Sequence, residues 1–240
     1  MSILECEAID AGYQGLAVAR GVSFALAPGE VLAILGPNGA GKTTILLTLA
    51  GFLKPLAGTI RIGEEPIRPG RPRRMNRAGV VLVPDNRALF TQLTVAETLS
   101  LGARSGGMSV DEVYDLFPAL RDRARLKAGA LSGGEQQMLA LARALVQQTR
   151  VLLIDEMSMG LAPMIVESLM EMVRRIADET GAGVVLVEQH VGLALDVADH
   201  ALVLVHGDVV LSAPVDALRS DLDSLDAAYL GRTGERDVPA

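Results

Sequence analysis

Eight residues near the start of this chain form a glycine-rich turn between a strand pattern and a helix pattern. They read Gly36-Pro37-Asn38-Gly39-Ala40-Gly41-Lys42-Thr43 and fit the pattern G-x-x-x-x-G-K-[ST]. An unbroken apolar run, residues 31–35, precedes them, and apolar residues at helical spacing follow as far as Pro55. In that setting the loop N–H groups and the helix dipole converge on one point. The context favours a bound phosphate over an ordinary glycine-rich turn.

The pattern also assigns roles to individual side chains. Lys42 can reach the β and γ oxygens of a nucleotide, and the Thr43 hydroxyl can bind Mg²⁺. We therefore expect ATP with Mg²⁺ as the ligand of a phosphate-contacting set that comprises Gly36, Pro37, Asn38, Gly39, Ala40, Gly41, Lys42, Thr43 and Thr44. The helix that follows is predicted to bury an apolar face made of Ile45, Leu46, Leu49, Phe52 and Leu53.

Composition narrows the class of protein. The chain has 240 residues, half of them hydrophobic and only 3% aromatic, so its core is aliphatic and large enough for one domain with a small subdomain. A net charge of −7 argues against nucleic-acid binding that rests on whole-chain charge. The single cysteine, Cys6, excludes an internal disulfide. Because no stretch approaches about 18 uncharged apolar residues, we expect a soluble, intracellular protein.

Strand and helix patterns alternate along the chain, with one interruption. Residues 93–127 read as helical and carry two capping boxes, Thr94 with Glu97 and Ser109 with Glu112. We predict an α/β core from residues 1–84 and 149–240, with a helical subdomain inserted at residues 85–148. The arginine-rich segment 68–77 is predicted to be a solvated loop. Residues 201–211 are predicted to form a hairpin at the sheet edge.

Two carboxylates, Asp155 and Glu156, end the apolar strand pattern of residues 151–154. The carboxyl ends of buried strands are where open α/β sheets place their sites. Asp155 can hold Mg²⁺ through water, and Glu156 can polarise the water that attacks a γ-phosphate. The alternative is that the two acids have no role beyond ending a strand. The phosphate loop earlier in the chain favours the nucleotide roles over this alternative.

A second glycine-rich segment, Leu131-Ser132-Gly133-Gly134-Glu135-Gln136, opens the helix pattern that follows it. Ser132 and Glu135 have capping-box spacing, which is a purely structural explanation for both. That explanation leaves out the two glycines, which lose more conformational freedom on folding than other residues. A glycine pair at a helix N-terminus can form a second phosphate site. Two phosphate sites and one phosphate loop suggest a head-to-tail dimer in which each copy completes the other's site.

The sequence resembles the nucleotide-binding domain of ABC transporters over essentially the whole chain, residues 1–240. Three features carry the resemblance by their order and spacing: the phosphate loop, the Leu-Ser-Gly-Gly-Glu-Gln signature and the Asp155-Glu156 strand end. The resemblance implies an α/β fold: a P-loop NTPase core of the ABC ATPase type with an antiparallel β subdomain. It implies that Tyr13 stacks on adenine and that His190 contacts the γ-phosphate and holds the attacking water. The signature residues implied to bind nucleotide are Ser132, Gly133, Gly134 and Gln136. A ligand-free turn tyrosine and a plain surface or core histidine remain the alternatives.

Two positions depart from the commonest family pattern. Asp85 stands where most members have glutamine, and it can still meet Mg²⁺ or the attacking water. Ala162 replaces an aspartate, so it cannot make that residue's polar contact across the dimer. Together with the segment Ala228-Tyr229-Leu230-Gly231, these departures resemble the shorter of two paralogous ATPases in importers of branched-chain amino acids or of related amides and urea.

The resemblance implies an ATPase subunit that powers such an importer from the cytoplasmic face of the membrane. Its partners are transmembrane permease subunits, a second ATPase subunit, either a copy or a paralogue, and a substrate-binding protein outside the membrane. Permease contact is expected in a groove near residues 85–99. Motifs of the nucleotide site do not separate import from export or name the solute. An exporter ATPase and an ABC ATPase acting on nucleic acid are the rival functions, and the acidic charge disfavours the second.

Overall fold

The computed structural model describes residues 2–67 and 70–220 of the chain. Its strands are β1 (Leu4–Tyr13), β2 (Leu16–Leu26), β3 (Val31–Leu35), β4 (Ala57–Ile62), β5 (Glu65–Ile67), β6 (Val80–Val83), β7 (Val151–Asp155), β8 (Gly183–Glu188), β9 (His200–Val205) and β10 (Asp208–Pro214). Its helices are α1 (Lys42–Leu49), α2 (Pro72–Arg77), α3 (Val95–Gly102), α4 (Val110–Leu116), α5 (Pro118–Asp122), α6 (Gly133–Leu145), α7 (Pro163–Thr180), α8 (Val191–Val197) and α9 (Val215–Arg219).

The described strands form one curled sheet in the order β5-β4-β1-β2-β10-β9-β3-β8-β7-β6. Strands β9, β3, β8, β7 and β6 pair in parallel. All residues of β3, β7 and β8 are buried, which confirms the prediction from their apolar runs. The phosphate loop, Asp155 and Glu188 all follow or end these strands, so they lie at one edge of the sheet. This edge is where α/β sheets place their ligands.

The other half of the sheet is antiparallel, as the family resemblance implied. Strand β1 pairs with both β2 and β4, and β4 pairs with β5. One parallel pair, Asp208 with Arg20, connects this half to the parallel half through β10 and β2. Arg20 also forms an ion pair with Asp208 at 2.7 Å and donates its backbone N–H to the Gly207 carbonyl.

The hairpin predicted at residues 201–211 forms, but its predicted place is wrong. Strands β9 and β10 pair antiparallel around His206 and Gly207. Because β10 also pairs with β2 through Arg20, the hairpin lies inside the sheet. In the described part of the chain the sheet edges are β5 and β6.

Two further local predictions are wrong. Residues 72–77 of the arginine-rich segment form α2, because Pro72 suits a first helical turn and Met75 is fully buried. Arg68 lies outside the described residues. Phe52 does not belong to the buried face of α1. The helix ends at Leu49, Gly51 adopts a left-handed φ of 81°, and the Phe52 side chain is 60% exposed.

Helices α3, α4, α5 and α6 occupy the stretch predicted to be a helical subdomain. Capping boxes form at Thr94 with Glu97, at Ser109 with Glu112 and at Ser132 with Glu135, as their spacing predicts. These helices share one continuous apolar cluster with the parallel strands. The domain boundaries at residues 85 and 148 therefore stay a prediction.

No helix in residues 2–67 and 70–220 combines the length and apolarity needed to cross a lipid bilayer.

The longest of the described helices, α7, starts at Pro163 and ends before Gly181, which has the left-handed φ of 69°. Both ends agree with the stop and start signals of the sequence. The segment Ala228-Tyr229-Leu230-Gly231 lies outside the described residues.

Candidate active site

The phosphate loop connects β3 directly to α1. Gly41, at the N-cap of α1, has a left-handed φ of 104°. A Cβ atom on Gly36 would lie 2.2 Å from the Leu204 carbonyl oxygen, so only glycine fits there. The loop encloses a pocket of about 260 Å³. The pocket is lined by Val18, Asn38, Gly39, Gly41, Lys42, Thr43, Thr44 and Glu156.

Lys42 is the buried cation of this pocket, with 4% of its surface exposed. Its Nζ donates to the carbonyl oxygens of Gly36, at 2.8 Å, and Pro37, at 3.2 Å. The same atom lies 3.5 Å from Oε1 of Glu156. The ammonium is thus held over the loop, where a phosphate can take the place of these partners.

Asp155, at the end of β7, lies beside the loop. The Thr43 hydroxyl donates to Asp155 Oδ1 at 3.1 Å. Burial raises the pKa of Asp155 to about 6, and the nearby carboxylates of Glu156 and Asp85 also raise it. A hydroxyl and a carboxylate are oxygen ligands of the kind Mg²⁺ prefers, and the excess of negative charge suits a cation. Among residues 2–67 and 70–220, no group of three or more His, Cys, Asp or Glu side chains is arranged to hold a metal ion.

Glu156 projects into the same pocket from an unusual backbone conformation. Its φ is 43°, in the left-handed region that residues with a Cβ seldom adopt. Its N–H donates to the Val187 carbonyl at 3.0 Å, which keeps the residue beside β8. Its carboxylate contacts Lys42 at Oε1 and accepts a hydrogen bond from Gln189 Nε2 at Oε2, at 2.8 Å. A carboxylate held this way is placed to accept a proton from water in the pocket.

His190, Asp85 and Tyr13 are among the predicted site residues that do not line this pocket. His190 is exposed at the N-cap of α8 and forms no side-chain cap there. Asp85 is exposed after β6 and accepts a hydrogen bond from the Asn86 N–H. Tyr13 is 47% exposed at the end of β1, in the antiparallel half of the sheet. Their roles toward a nucleotide therefore stay predictions.

The signature segment also lies outside the pocket lining, among the residues described. Ser132 caps α6, and Gln136 donates to the Ala128 and Leu131 carbonyls. A Cβ atom on Gly134 would lie 2.6 Å from Ile165 Cγ2, at the start of α7. Gly134 therefore has a packing reason that sequence reasoning did not supply.

Sequence reasoning missed three groups of residues around the site. Gln189 contacts Glu156 directly. Glu188 is fully buried and accepts hydrogen bonds from the N–H and the hydroxyl of Ser158, so burial raises its pKa while these bonds oppose the rise. Arg87 donates to Gln136 and Gln137 of α6. The one available signal was a charged residue, Glu188, that directly continues a buried strand.

Known proteins resemble this chain in sequence and fold. The family model described as ABC transporter matches residues 19–159. The high-affinity branched-chain amino acid transport ATP-binding protein BraG of Pseudomonas aeruginosa is 39% identical over 95% of this chain and 100% of its own length. A probable branched-chain amino acid transport ATP-binding protein, LivF of Archaeoglobus fulgidus, is 33% identical over 88% and 91%.

Solved structures agree on the architecture. The crystal structure of the ADP conformation of an ATP-binding cassette of an ABC transporter superposes with a TM-score of 0.83. The match covers 95% of this chain and 98% of the other at 24% sequence identity. At that identity the similarity shows the shared fold alone, and it confirms the predicted cassette architecture.

Proposed function

This chain belongs to the ABC transporter family of ATP-binding proteins, and we propose that it hydrolyses ATP, with Glu156 as general base, to power uptake of branched-chain amino acids. One observation carries the catalytic assignment. The Glu156 carboxylate lines the phosphate-loop pocket and lies 3.5 Å from the ammonium of Lys42. The names of the relatives that match over most of the chain support the class of solute.

Each residue of the pocket has its own role toward the nucleotide. A phosphate entering the loop takes Lys42 Nζ from the Gly36 and Pro37 carbonyls and from Glu156. Oε1 of Glu156 is then free to accept a proton from water as the water attacks. Thr43 and Asp155, with Asp85 nearby, would hold Mg²⁺, which neutralises phosphate charge when it is bound. His190 follows β8, two residues after Glu188, and we assign it the role of contacting the γ-phosphate.

The signature residues act on a nucleotide held by a second subunit. Ser132, Gly133 and Gly134 form the N-terminus of α6, where backbone N–H groups attract anions. Since they do not line the described pocket, a head-to-tail pair lets each signature close over the other subunit's loop. Tyr13 stacks on the adenine in this arrangement. The second subunit is a copy of this chain or a paralogue.

The catalytic assignment is tested with Glu156→Gln and with Glu167→Gln, an exposed carboxylate on α7, as the matched control. We expect the first variant to bind ATP normally and to hydrolyse it about 100- to 10,000-fold more slowly, because the general base is lost. The control should match the wild type. Near-normal turnover by Glu156→Gln would remove Glu156 from the mechanism.

The transport assignment is tested in cells that carry Glu156→Gln in place of the chromosomal copy. Uptake of labelled leucine, isoleucine and valine is followed beside urea and short amides. We expect uptake of the branched-chain amino acids to fall while the other solutes enter normally. Loss of urea or amide uptake alone would change the solute. Unchanged uptake of the whole panel would favour the exporter function.

We place permease contact on a groove of about 420 Å³ between α2 and α3. Three exposed apolar side chains line it: Phe52, Phe90 and Leu101 are 60%, 63% and 68% exposed. Arg73 and Arg104 add positive charge. Large exposed apolar side chains grouped around a cleft are typical of a protein-binding surface. Docking of a permease there would hold the chain at the inner face of the membrane.

The docking site is tested with Leu101→Asp and with Leu126→Asp, which changes an exposed leucine outside the groove. We expect Leu101→Asp to reduce the amount of the chain that sediments with the membrane fraction and to leave ATP hydrolysis in solution intact. Leu126→Asp should change neither quantity. Full membrane recovery of Leu101→Asp would rule out this groove.

A further inference from the structure

The carboxylate of Glu156 has a second partner that the roles above do not use. Gln189 Nε2 donates to Oε2 at 2.8 Å, whereas Lys42 approaches Oε1 at 3.5 Å. The two oxygens of the carboxylate therefore have different partners. A phosphate competes more strongly for the charged ammonium of Lys42 than for the neutral carboxamide of Gln189. Oε2 can remain bound while Oε1 becomes available to water.

The backbone on both sides of this hydrogen bond is fixed. Asp155 pairs with Val187 in the β7–β8 register, and the Glu156 N–H donates to the Val187 carbonyl. One residue further along, the buried Glu188 carboxylate accepts from Ser158 N at 3.1 Å and from Ser158 Oγ at 2.7 Å. The segment from Glu156 to Ser158 is thus tied to the last two residues of β8, Val187 and Glu188. Gln189 extends from the tied backbone to the carboxylate.

The neighbouring histidine does not make this contact. His190 is exposed at the N-cap of α8, and its imidazole forms no hydrogen bond within the described residues. The side chain that contacts the Glu156 carboxylate is therefore one position earlier than the histidine expected to act in this loop.

We propose that Gln189 is a positioning residue, which anchors Oε2 of Glu156 so that Oε1 faces the water that attacks the γ-phosphate. The proposal rests on the assignment of Glu156 as general base. A base that is free to rotate loses the alignment that proton transfer needs, and small misplacements of this kind reduce turnover strongly. The carboxamide itself transfers no proton.

Two substitutions separate the donor from the shape of the side chain. Gln189→Met removes the hydrogen bond, and Gln189→Glu keeps the shape but replaces the N–H donor with a carboxylate oxygen. We expect both variants to lower kcat about 10- to 100-fold, with unchanged ATP affinity and unchanged thermal midpoint. Gln92→Met, which changes an exposed glutamine far along the chain, should behave as wild type. Wild-type kcat in Gln189→Met would overturn the proposal.

A double-mutant cycle distinguishes positioning from general damage. Single-turnover hydrolysis is measured for Glu156→Gln with and without Gln189→Met. If Gln189 acts through Glu156, the second substitution should have no further effect. An additive loss in that background would refute positioning. Wild-type hydrolysis by Glu156→Gln itself would instead refute the proposed function, so the two failures have different results.

Discussion

Lys42 and Glu156 face each other across the phosphate-loop pocket, with Nζ 3.5 Å from Oε1 and with 4% and 14% of their side chains exposed. Each neutralises the other in a site that water reaches poorly. A nucleotide phosphate therefore enters by exchange, in which it takes the ammonium and releases the carboxylate. Under the proposed assignment of Glu156 as general base, binding of substrate would therefore also release that base.

Replacing Lys42 by alanine should weaken ATP binding by about 10-fold or more, because a charge-assisted contact to phosphate is lost. The measurement is titration with a fluorescent ATP analogue. Lys54→Ala serves as control, since Lys54 is exposed beyond the end of α1. Unchanged affinity in Lys42→Ala would contradict the role of the loop.

Asp155→Asn should stabilise the nucleotide-free protein at neutral pH. The folded-state pKa of Asp155, about 6, lies above the ordinary value of 3.8, so folding disfavours its charged form. The charged form is penalised fully above the folded pKa, and the penalty disappears as pH falls below the unfolded pKa. Removing the charge should add at most about 3 kcal/mol to the free energy of unfolding.

The sign of this effect is measured by thermal denaturation of wild type and Asp155→Asn at pH 7.5, pH 6 and pH 4. The variant should be the more stable protein near pH 7.5, and its advantage should shrink between pH 6 and pH 4. If the variant is more stable than wild type by the same amount at pH 7.5 and at pH 4, the charge of Asp155 is not the source of the difference.

Gly134→Ala should destabilise the junction of α6 and α7. The new Cβ would lie 2.6 Å from Ile165 Cγ2, and overpacking of this kind costs about 1–3 kcal/mol. Urea denaturation measures the loss. The double variant Gly134→Ala with Ile165→Ala removes the clash and should recover stability. If ATP hydrolysis stays low in that double variant, the glycine serves nucleotide as well as packing; full recovery would assign it to packing alone.

Arg87→Met should reduce stability by separating the loop after β6 from α6. Arg87 Nε donates to Oε1 of Gln137, which is 1% exposed, and a buried acceptor left without its donor costs about 1–3 kcal/mol. Chemical denaturation measures this change. Arg125→Met, at an exposed position, is the control. Equal midpoints for the two variants would show that the Arg87 contact contributes nothing.

Local patterns predicted the parts of the fold that are decided locally. The buried strands follow from apolar runs, and the three capping boxes follow from Ser or Thr three residues before Glu. The phosphate loop is likewise one contiguous pattern, and its pocket forms where the strand and helix patterns meet. The family resemblance supplied the antiparallel half of the sheet.

Contacts between distant segments could not be predicted. Gln189 meets Glu156 across 33 positions, and Arg87 meets Gln137 across 50. No periodicity connects such pairs, because they depend on the strand order of the finished sheet. The hairpin at residues 201–211 was misplaced for the same reason: its neighbour β2 lies far earlier in the chain. The buried face of α1 was overextended because apolar spacing does not register the turn at Gly51.

The join between the two halves of the sheet depends on one ladder pair and on the side chain of Arg20. Apolar packing, which includes α1 and strands of both halves, adds to this join. Because such packing lacks the directional register of a hydrogen-bonded ladder, we expect a small change of angle at this seam to break fewer backbone hydrogen bonds than the same change within either half. Helix α1, which follows the phosphate loop, packs in that same cluster, so the loop is supported by both halves of the sheet at once.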